Sequence, residues 1–411
     1  MKRHRVVVTG LGMLTPIGLG MGNFWRAIQC GEIGVAAISR FDSTEYPSRI
    51  AAQIDDFTPG DFMPDKRVHW TDRFSQFSVA ASRMALEDAN FHVNGNGSDV
   101  GVYIGSALGG LAYADEQSSA FSLNGLSAVR PLLAISVFGG ASTCNVSIEF
   151  GLNGPNVANG NSCASGAVAI GEAFRAVSRG DVRSALAGGV EAPLAPLIYG
   201  AFTVIRAMST RNDDPKAASR PFDRDRDGFV MAEGAGLLFL ERYDDAVRRN
   251  AAIYGEVAGY GLSNDAHHMS APRPDGTQTA RAMQCALEEA DVSASEVDAI
   301  NAHGSSTTLG DRAEALAYAR VFGKRSSEIP LTATKSQHGH ALGATGAWEA
   351  GIALMSIRNG VIPKMRNIEH PDPQCQLRCT TEETKFPPRI ILSNSSGFGG
   401  INAALVFKAA T

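Results

Sequence analysis

One pattern constrains this chain more than any other: the same order of segments occurs twice. The first half offers VVVTGLG from Val6, VGVYIGSALGG from Val100, NSCASGAVAIGEAF from Asn161 and RSALAGGVEAP from Arg183. The second half offers IYGEVAGYG from Ile253, VDAINAHGSS from Val297, KSQHGHALGATGAWEA from Lys335 and RIILSNSSGFGG from Arg389. Each set reads as strand into glycine turn, strand into Gly-Ser loop, strand into helix elbow, strand into Gly-Gly loop. Strands alternating with helices predict an α/β chain with parallel pairing. A duplicated unit of this kind sets two half-sheets facing one another, with functional loops where the strand ends meet. An Arg-, Asp- and Pro-rich stretch from Thr210 to Val230 lies between the sets, and the chain divides into residues 1–250 and 251–411.

Such a plan needs a large apolar interior and many close backbone approaches. Hydrophobic residues are 44% and charged residues 19%, which excludes a disordered chain. Glycine fills 44 of 411 positions, above the roughly 7% of ordinary proteins, yet follows no collagen triplet. A formal charge of −5 leaves no electrostatic footprint for nucleic acid. Behind Lys2, Arg3 and Arg5, the uncharged run Val6–Trp25 has the outline of a signal peptide. Its five glycines, Pro16, two threonines and Asn23 make it too polar for that role or for a membrane span. VVVTG reads instead as a buried parallel strand entering a glycine turn. Cys30, Cys144, Cys163, Cys285, Cys375 and Cys379 show no ligand spacing beyond the lone Cys375/Cys379 pair, which has no histidine pair beside it. They read as reduced thiols of a cytoplasmic protein with no metal.

Two motifs fail on inspection. Gly10-Leu11-Gly12 has Thr15 where a dinucleotide fingerprint needs its third glycine, so a structural turn is expected there. Asp223, Asp225, Asp227 and Gly228 imitate a calcium loop. Its closing Glu falls one residue early, at Glu233, and a salt-bridged loop is expected.

Cys163 survives. It follows the strand-like PNVANGNS and precedes a helix with Ile170, Phe174 and Val177 on one face, Glu172, Arg175 and Arg179 on the other, and Gly180 as its stop. A cysteine at such an elbow meets the positive end of a helix dipole, which favours thiolate. Ala164, Ser165 and Gly166 leave room for a substrate. Among the histidines, His303 ends VDAINA and His340 precedes a small-residue helix, both read as strand ends. His338 competes with His340 on sequence grounds. Asp311 and Glu314 open the helix after His303 at capping-box spacing, and one of them is placed to pair with Lys335. Gly397-Phe398-Gly399-Gly400 is dense enough in glycine for a mobile loop.

With Cys163, His303, Lys335, His340 and Gly397-Phe398-Gly399-Gly400 in this order, the chain resembles a β-ketoacyl-acyl carrier protein synthase of the synthase II type. The likeness runs from VVVTGLG at Val6 to NAALVFK at Asn402, through ASRPFDRDRDGFVMAEGAG, NAHGSST and TKSQHGHALGATGA. It implies the thiolase fold, two pseudo-symmetric halves in a layered αβαβα arrangement. The first half would carry the nucleophilic cysteine and the second the two histidines.

The same resemblance implies a decarboxylative Claisen condensation. Cys163 would hold an acyl chain as a thioester. His303 and His340 would bind the malonyl thioester and stabilise its enolate. Lys335, Asp311 and Glu314 would support them. Backbone N–H groups of Cys163 and Phe398 would form the oxyanion hole, and Phe398 with Gly399 and Gly400 would gate entry. Ser305, Thr307 and Ser270 would meet the phosphopantetheine arm, and Leu108 and Phe202 the acyl chain. Lys66, Arg67, Arg130 and Arg206 would dock an acidic acyl carrier protein, which brings the phosphopantetheine; no tightly bound cofactor is implied. The partner subunit would be a second copy or a chain-length-factor-like chain.

Gln337-His338, Ser396, Ser305 and the Asn-Ser-Cys-Ala-Ser-Gly elbow depart from the common family pattern. The more polar residues point to an unsaturated or oxygenated chain, as in type II polyketide or aryl-polyene pathways. Primary fatty-acid elongation and a non-catalytic chain-length partner are the alternatives. A thiolase would need a second cysteine where Ser395-Ser396 stand.

Overall fold

The computed structural model describes residues 3–93 and 99–410. The first half contributes strands β1 (Val6–Thr15), β2 (Val100–Gly105), β3 (Asn156–Asn159), β4 (Ser184–Glu191) and β5 (Gly234–Arg242). The second contributes β6 (Gly255–Asn264), β7 (Ala299–Asn301), β8 (Pro330–Thr332), β9 (Ile390–Gly397) and β10 (Ile401–Lys408). The first set is ordered β3-β2-β4-β5-β1 and the second β8-β7-β9-β10-β6, so the two halves share one topology. β1 and β6 join them by antiparallel pairing of Val6–Val8 with Gly255–Val257.

Parallel pairing, expected throughout, holds for β2 with β3 and β4 and for β7 with β8 and β9. The remaining strands, β5 and β1 in one half and β10 and β6 in the other, run antiparallel to their neighbours. For β9 and β10 the cause is plain: the short Gly397–Gly400 link reverses the chain, whereas parallel neighbours need a long crossover.

Six helices matter to the site: α1 (Arg73–Asp88), α2 (Ser165–Arg179), α3 (Thr277–Glu289), α4 (Thr308–Phe322), α5 (Lys335–His338) and α6 (Thr345–Asn359). Gly10 and Gly12 are not in a turn; they lie inside β1, where α1 rests on bare strand backbone. A Cβ at Gly12 would fall 1.9 Å from Ala81 O. β6 repeats the device, with a Cβ at Gly261 falling 1.9 Å from Ala282 O of α3. Any side chain there would lift the outer helix off its strand.

Between the sheets lie α2 and α6. Ile170, Phe174 and Val177 are buried as their spacing predicts, and Gly180 ends α2 at φ 88°. Gly171 of α2 faces the Tyr260 ring from β6, and Gly351 of α6 faces the Met13 methyl from β1. Each inner helix thus touches the other half's first strand. Outer helix, sheet, inner helices, sheet, outer helix is the layered thiolase arrangement.

Candidate active site

The position of Cys163 is made by backbone. After β3 the chain passes Asn161 into a single 3-10 turn, Ser162–Ala164, before α2 opens at Ser165. Ser162 adopts φ +52°, a region that ordinary side chains rarely enter. Its carbonyl accepts a 2.6 Å hydrogen bond from Ser165 Oγ. Cys163 then lines a cavity of about 350 Å³ together with His303, His340, Leu342 and Phe398.

The helix end is not alone in acting on this thiol. Burial pushes Cys163 up to about 11, against the Ser162 hydroxyl, the Lys335 charge and the Phe398 N–H, which all pull it down. The elbow alone predicts a thiolate; burial opposes it and favours a protonated sulfur at rest.

His303 follows β7, with its own N–H donating to Glu314 Oε1 at 2.7 Å and the Gly304 N–H to Oε2 at 2.8 Å. His340 does not end a strand. It follows the one-turn helix α5 and is tied to the segment before β5, through His340 N to Val230 O at 2.8 Å and Ala232 N to His340 O at 3.0 Å. Its Nδ1 lies 3.1 Å from Thr345 Oγ1. The two imidazole rings stand 5.4 Å apart and nearly perpendicular, at 85°. Burial, then the Lys335 charge, holds both well below the ordinary histidine range. Both are neutral at neutral pH, and a neutral imidazole offers one N–H donor.

His338 leaves the contest. It is fully buried between Phe24 and Trp348, with Nε2 at 3.0 Å from Thr334 Oγ1 and Nδ1 at 2.8 Å from Gly339 O. Gln337 is equally buried and donates to Lys364 O at 3.0 Å. Neither lines the cavity; of the polar departures, Ser396 and Ser305 do.

Lys335 pairs with neither acid assigned to it. Its ammonium binds Glu349 and the His303 carbonyl. Glu349, which the sequence reading missed, is a lone acid inside the apolar run of α6. That pattern is itself a signal, since a buried charge requires a partner. Glu314 instead fixes the His303 loop and accepts from Tyr318 OH at 2.6 Å and Asn394 Nδ2 at 2.9 Å. Asp311 accepts from Phe222 N at 2.8 Å and faces Arg226 Nε at 3.3 Å. It braces the 222–226 loop. Nor do the two acids make a capping box: Thr307 caps α4 by accepting from Gly310 N at 3.2 Å.

The glycine loop after β9 closes one wall. Gly397 packs on the backbone of Cys163, and the Phe398 ring stacks on Phe202 at 6.2 Å and 15°. Gly399 takes φ 79° and Gly400 φ 74°. The loop is pinned from β6 and its exit: Gly399 N donates to Met269 O at 2.7 Å, Asp265 N to Gly400 O at 2.8 Å, and Asn402 Nδ2 to Asp265 Oδ1 at 2.8 Å. Asp265 and Asn402 carried no motif and were missed.

Ser270, Ser305, Thr307, Phe202 and Arg206 line the cavity, as does Gly399 with Gly400. Leu108 does not line it, but packs into the apolar cluster that holds Cys163 and Leu342. The basic residues separate. Lys66 and Arg67 sit on the helix Asp65–His69, and Arg130 reaches His69 O at 3.3 Å. Arg67 is engaged by Glu149 at 3.4 Å. The imitation calcium loop is salt-bridged as expected, with Arg226 on Asp311 and Asp372.

Residues 3–246 match the family model of the β-ketoacyl synthase N-terminal domain, and residues 254–369 that of the C-terminal domain. The chain is 40% identical to 3-oxoacyl-[acyl-carrier-protein] synthase 2 of Synechocystis sp. over 99% of both chains. It is 39% identical to the protein of that name from Coxiella burnetii, again over 99% of both. A type II polyketide ketosynthase, solved with its acyl-carrier protein and bound to a hexaketide, superposes with a TM-score of 0.92 at 33% identity, over 99% of this chain and 100% of that one. The ishigamide ketosynthase/chain length factor superposes at 0.94 with 32% identity over all of both chains.

Proposed function

The chain belongs to the β-ketoacyl synthase family, and on that premise we propose that Cys163 carries the acyl chain which the enzyme extends by two carbons. The enzyme is a β-ketoacyl-[acyl-carrier-protein] synthase, an acyltransferase. The observation that carries the residue reading is the single cavity that brings Cys163, both neutral imidazoles and the Phe398 N–H together.

Acyl transfer comes first. Cys163 sulfur attacks the thioester carbonyl of an acyl chain on phosphopantetheine, losing its proton as the arm's thiol leaves protonated. N–H groups of Cys163 and Phe398 receive the oxyanion. A malonyl thioester then enters, along Ser270, Ser305 and Thr307. His303 and His340 donate to its thioester oxygen, which lowers the cost of the enolate as CO2 leaves. The enolate carbon attacks the acyl carbonyl on Cys163. Collapse expels the thiolate and yields a β-ketoacyl product. Lys335 holds the His303 carbonyl, Glu314 its N–H, and Phe398 with Gly399 and Gly400 swings to admit each substrate.

Fatty-acid elongation is the reading favoured for the substrate. Two of the polar residues that pointed to an oxygenated chain, Gln337 and His338, lie outside the cavity. The type II polyketide reading rests on the structural relatives above. A non-catalytic chain-length partner would not need the assembled nucleophile and imidazoles. The carrier protein is the partner, with Arg206 at the cavity and Lys66, Arg67 and Arg130 beyond it. A second subunit, identical or chain-length-factor-like, would cover exposed Val157 of edge strand β3 and exposed Ile148 on the helix Ala141–Phe150 that packs against it. The working division stays at residues 1–250 and 251–411, and the working place is the cytoplasm. Among the described residues no helix is long and apolar enough to cross a membrane.

Mass spectrometry of the Cys163 peptide after exposure to a panel of acyl carrier proteins tests this. Acylation at Cys163 with saturated donors is expected. No modification with any donor, together with no malonyl decarboxylation, would overturn the reading.

A further inference from the structure

Glu191 ends β4 fully buried, and its four hydrogen-bond donors are all uncharged. Oε1 accepts from Ser106 Oγ at 2.9 Å and Leu108 N at 3.0 Å. Oε2 accepts from Ala107 N at 2.8 Å and Gly343 N at 3.0 Å. A carboxylate without a counter-ion stays buried only if its lone pairs are filled in this way. Ser106 Oγ also accepts from Gly109 N at 2.9 Å, so one side chain stitches the whole turn after β2.

The two ends of that clamp come from different halves. Three donors belong to the turn that carries Leu108. The fourth is Gly343, next to Leu342, which lines the cavity beside Cys163. Ala107, Leu108 and Leu342 pack in the one apolar cluster that contains Cys163.

We infer that Glu191 is a positioning residue for acyl-chain selection: it locks the Leu108 turn against the Gly343 elbow and so sets the apolar space beside Cys163. The inference rests on the reading of Cys163 as the acyl carrier. Glu191 touches no reacting atom; it acts through backbone N–H groups, which a change of the Leu108 side chain alone would leave in place.

The test compares Glu191→Gln and Ser106→Ala with the unaltered full chain. Glutamine keeps the shape of the side chain but turns an amide N–H2 towards one pair of donors. The readout is the ratio of kcat/KM for palmitoyl against octanoyl carrier-protein donors, with Tm measured alongside. A shift of about fivefold or more is expected for Glu191→Gln, and about twofold in the same direction for Ser106→Ala. A purely structural role would lower both donors in parallel, and an unchanged ratio in both variants overturns the inference. Where Glu191→Gln does not fold, Ser106→Ala decides alone, an unchanged ratio again overturning it. Failure of the unaltered protein to acylate at Cys163 would instead sink the reading beneath it.

Discussion

The two elbows share a backbone and differ in what they present. Asn161 has φ −80° and ψ 37°, and Ala341 has φ −85° and ψ 40°. The next residue turns left-handed in both, at +52° for Ser162 and +41° for Leu342. Each elbow then makes one 3-10 turn and opens a helix of 15 residues. At the centre of the first is Cys163, open to the cavity. At the centre of the second is Gly343, where a Cβ would lie 2.8 Å from Glu191 Oε2 and 2.9 Å from Ala107 N. Three residues ahead, the roles reverse: His340 stands in the second elbow where the first has Gly160. The two halves therefore present two equivalent frames, which differ in the space in front of each. One carries a cysteine and the other an imidazole, and a single cavity is lined by both.

The largest effect that would break this contrast is at Cys163, the proposed nucleophile. Cys163→Ala should cut condensation by about a thousandfold or more while leaving malonyl decarboxylation measurable, because in the proposed mechanism the histidines act on malonyl. Its Tm should stay close to that of the unaltered protein. Gly343→Ala should do the reverse: a methyl forced into close packing costs about 1–3 kcal/mol, read as a lower midpoint in denaturant. A Gly343→Ala protein as stable as the original would show that the second elbow is not filled by Glu191 and the Ala107 turn.

Much of this contrast was legible in the sequence, for physical reasons that stop short of the site's interior. The elbow at Cys163 and the α2 face followed from periodicity and a glycine stop, which are local. The β1 glycines were misread because a turn and a helix resting on bare strand leave the same local trace. Lys335's partner was misassigned because Asp311 and Glu314 are near in sequence to His303, while Glu349 arrives from the next helix, α6. Thiolate was expected at Cys163 because a helix end is local and burial is not. Local signals placed the elements; the charges were settled by burial and by contacts between separate elements.

An intermediate effect tests the electrostatics of the second elbow. His303 and His340 are held well below their usual range. Neutral imidazoles therefore persist as pH falls, and decarboxylation should be flat from about pH 8 to 6. Lys335→Met removes a positive charge that depresses both, so the acid limb should rise towards pH 6.5. An acid limb that does not move would mean Lys335 acts on His303 only by position. Stability should follow the same two imidazoles together with His338. Burial pushes His338 down to about 3, so its neutral form stabilises the fold fully above pH 6.5. That contribution is lost as pH falls towards 3, because unfolding then takes up a proton. Tm recorded across that interval checks the sign.

The smallest effect separates two residues at matching places. Ser165 opens α2 and Thr345 opens α6, each carrying a hydroxyl two residues past the centre of its elbow. Ser165 Oγ spends its hydrogen bond on the Ser162 carbonyl, holding backbone only. Thr345 Oγ1 lies 3.1 Å from His340 Nδ1, and so fixes the orientation and tautomer of the ring to which the proposed mechanism gives malonyl. Thr345→Val keeps the shape and removes the hydroxyl. It should lower decarboxylation by about threefold to tenfold with little change in acylation of Cys163, since losing one neutral hydrogen bond is worth about 1 kcal/mol. Ser165→Ala should show the opposite bias, slowing acylation more than decarboxylation. Equal losses of both steps in both variants would mean that the hydroxyls serve only the shared frame, and that the elbows have not divided the chemistry between them.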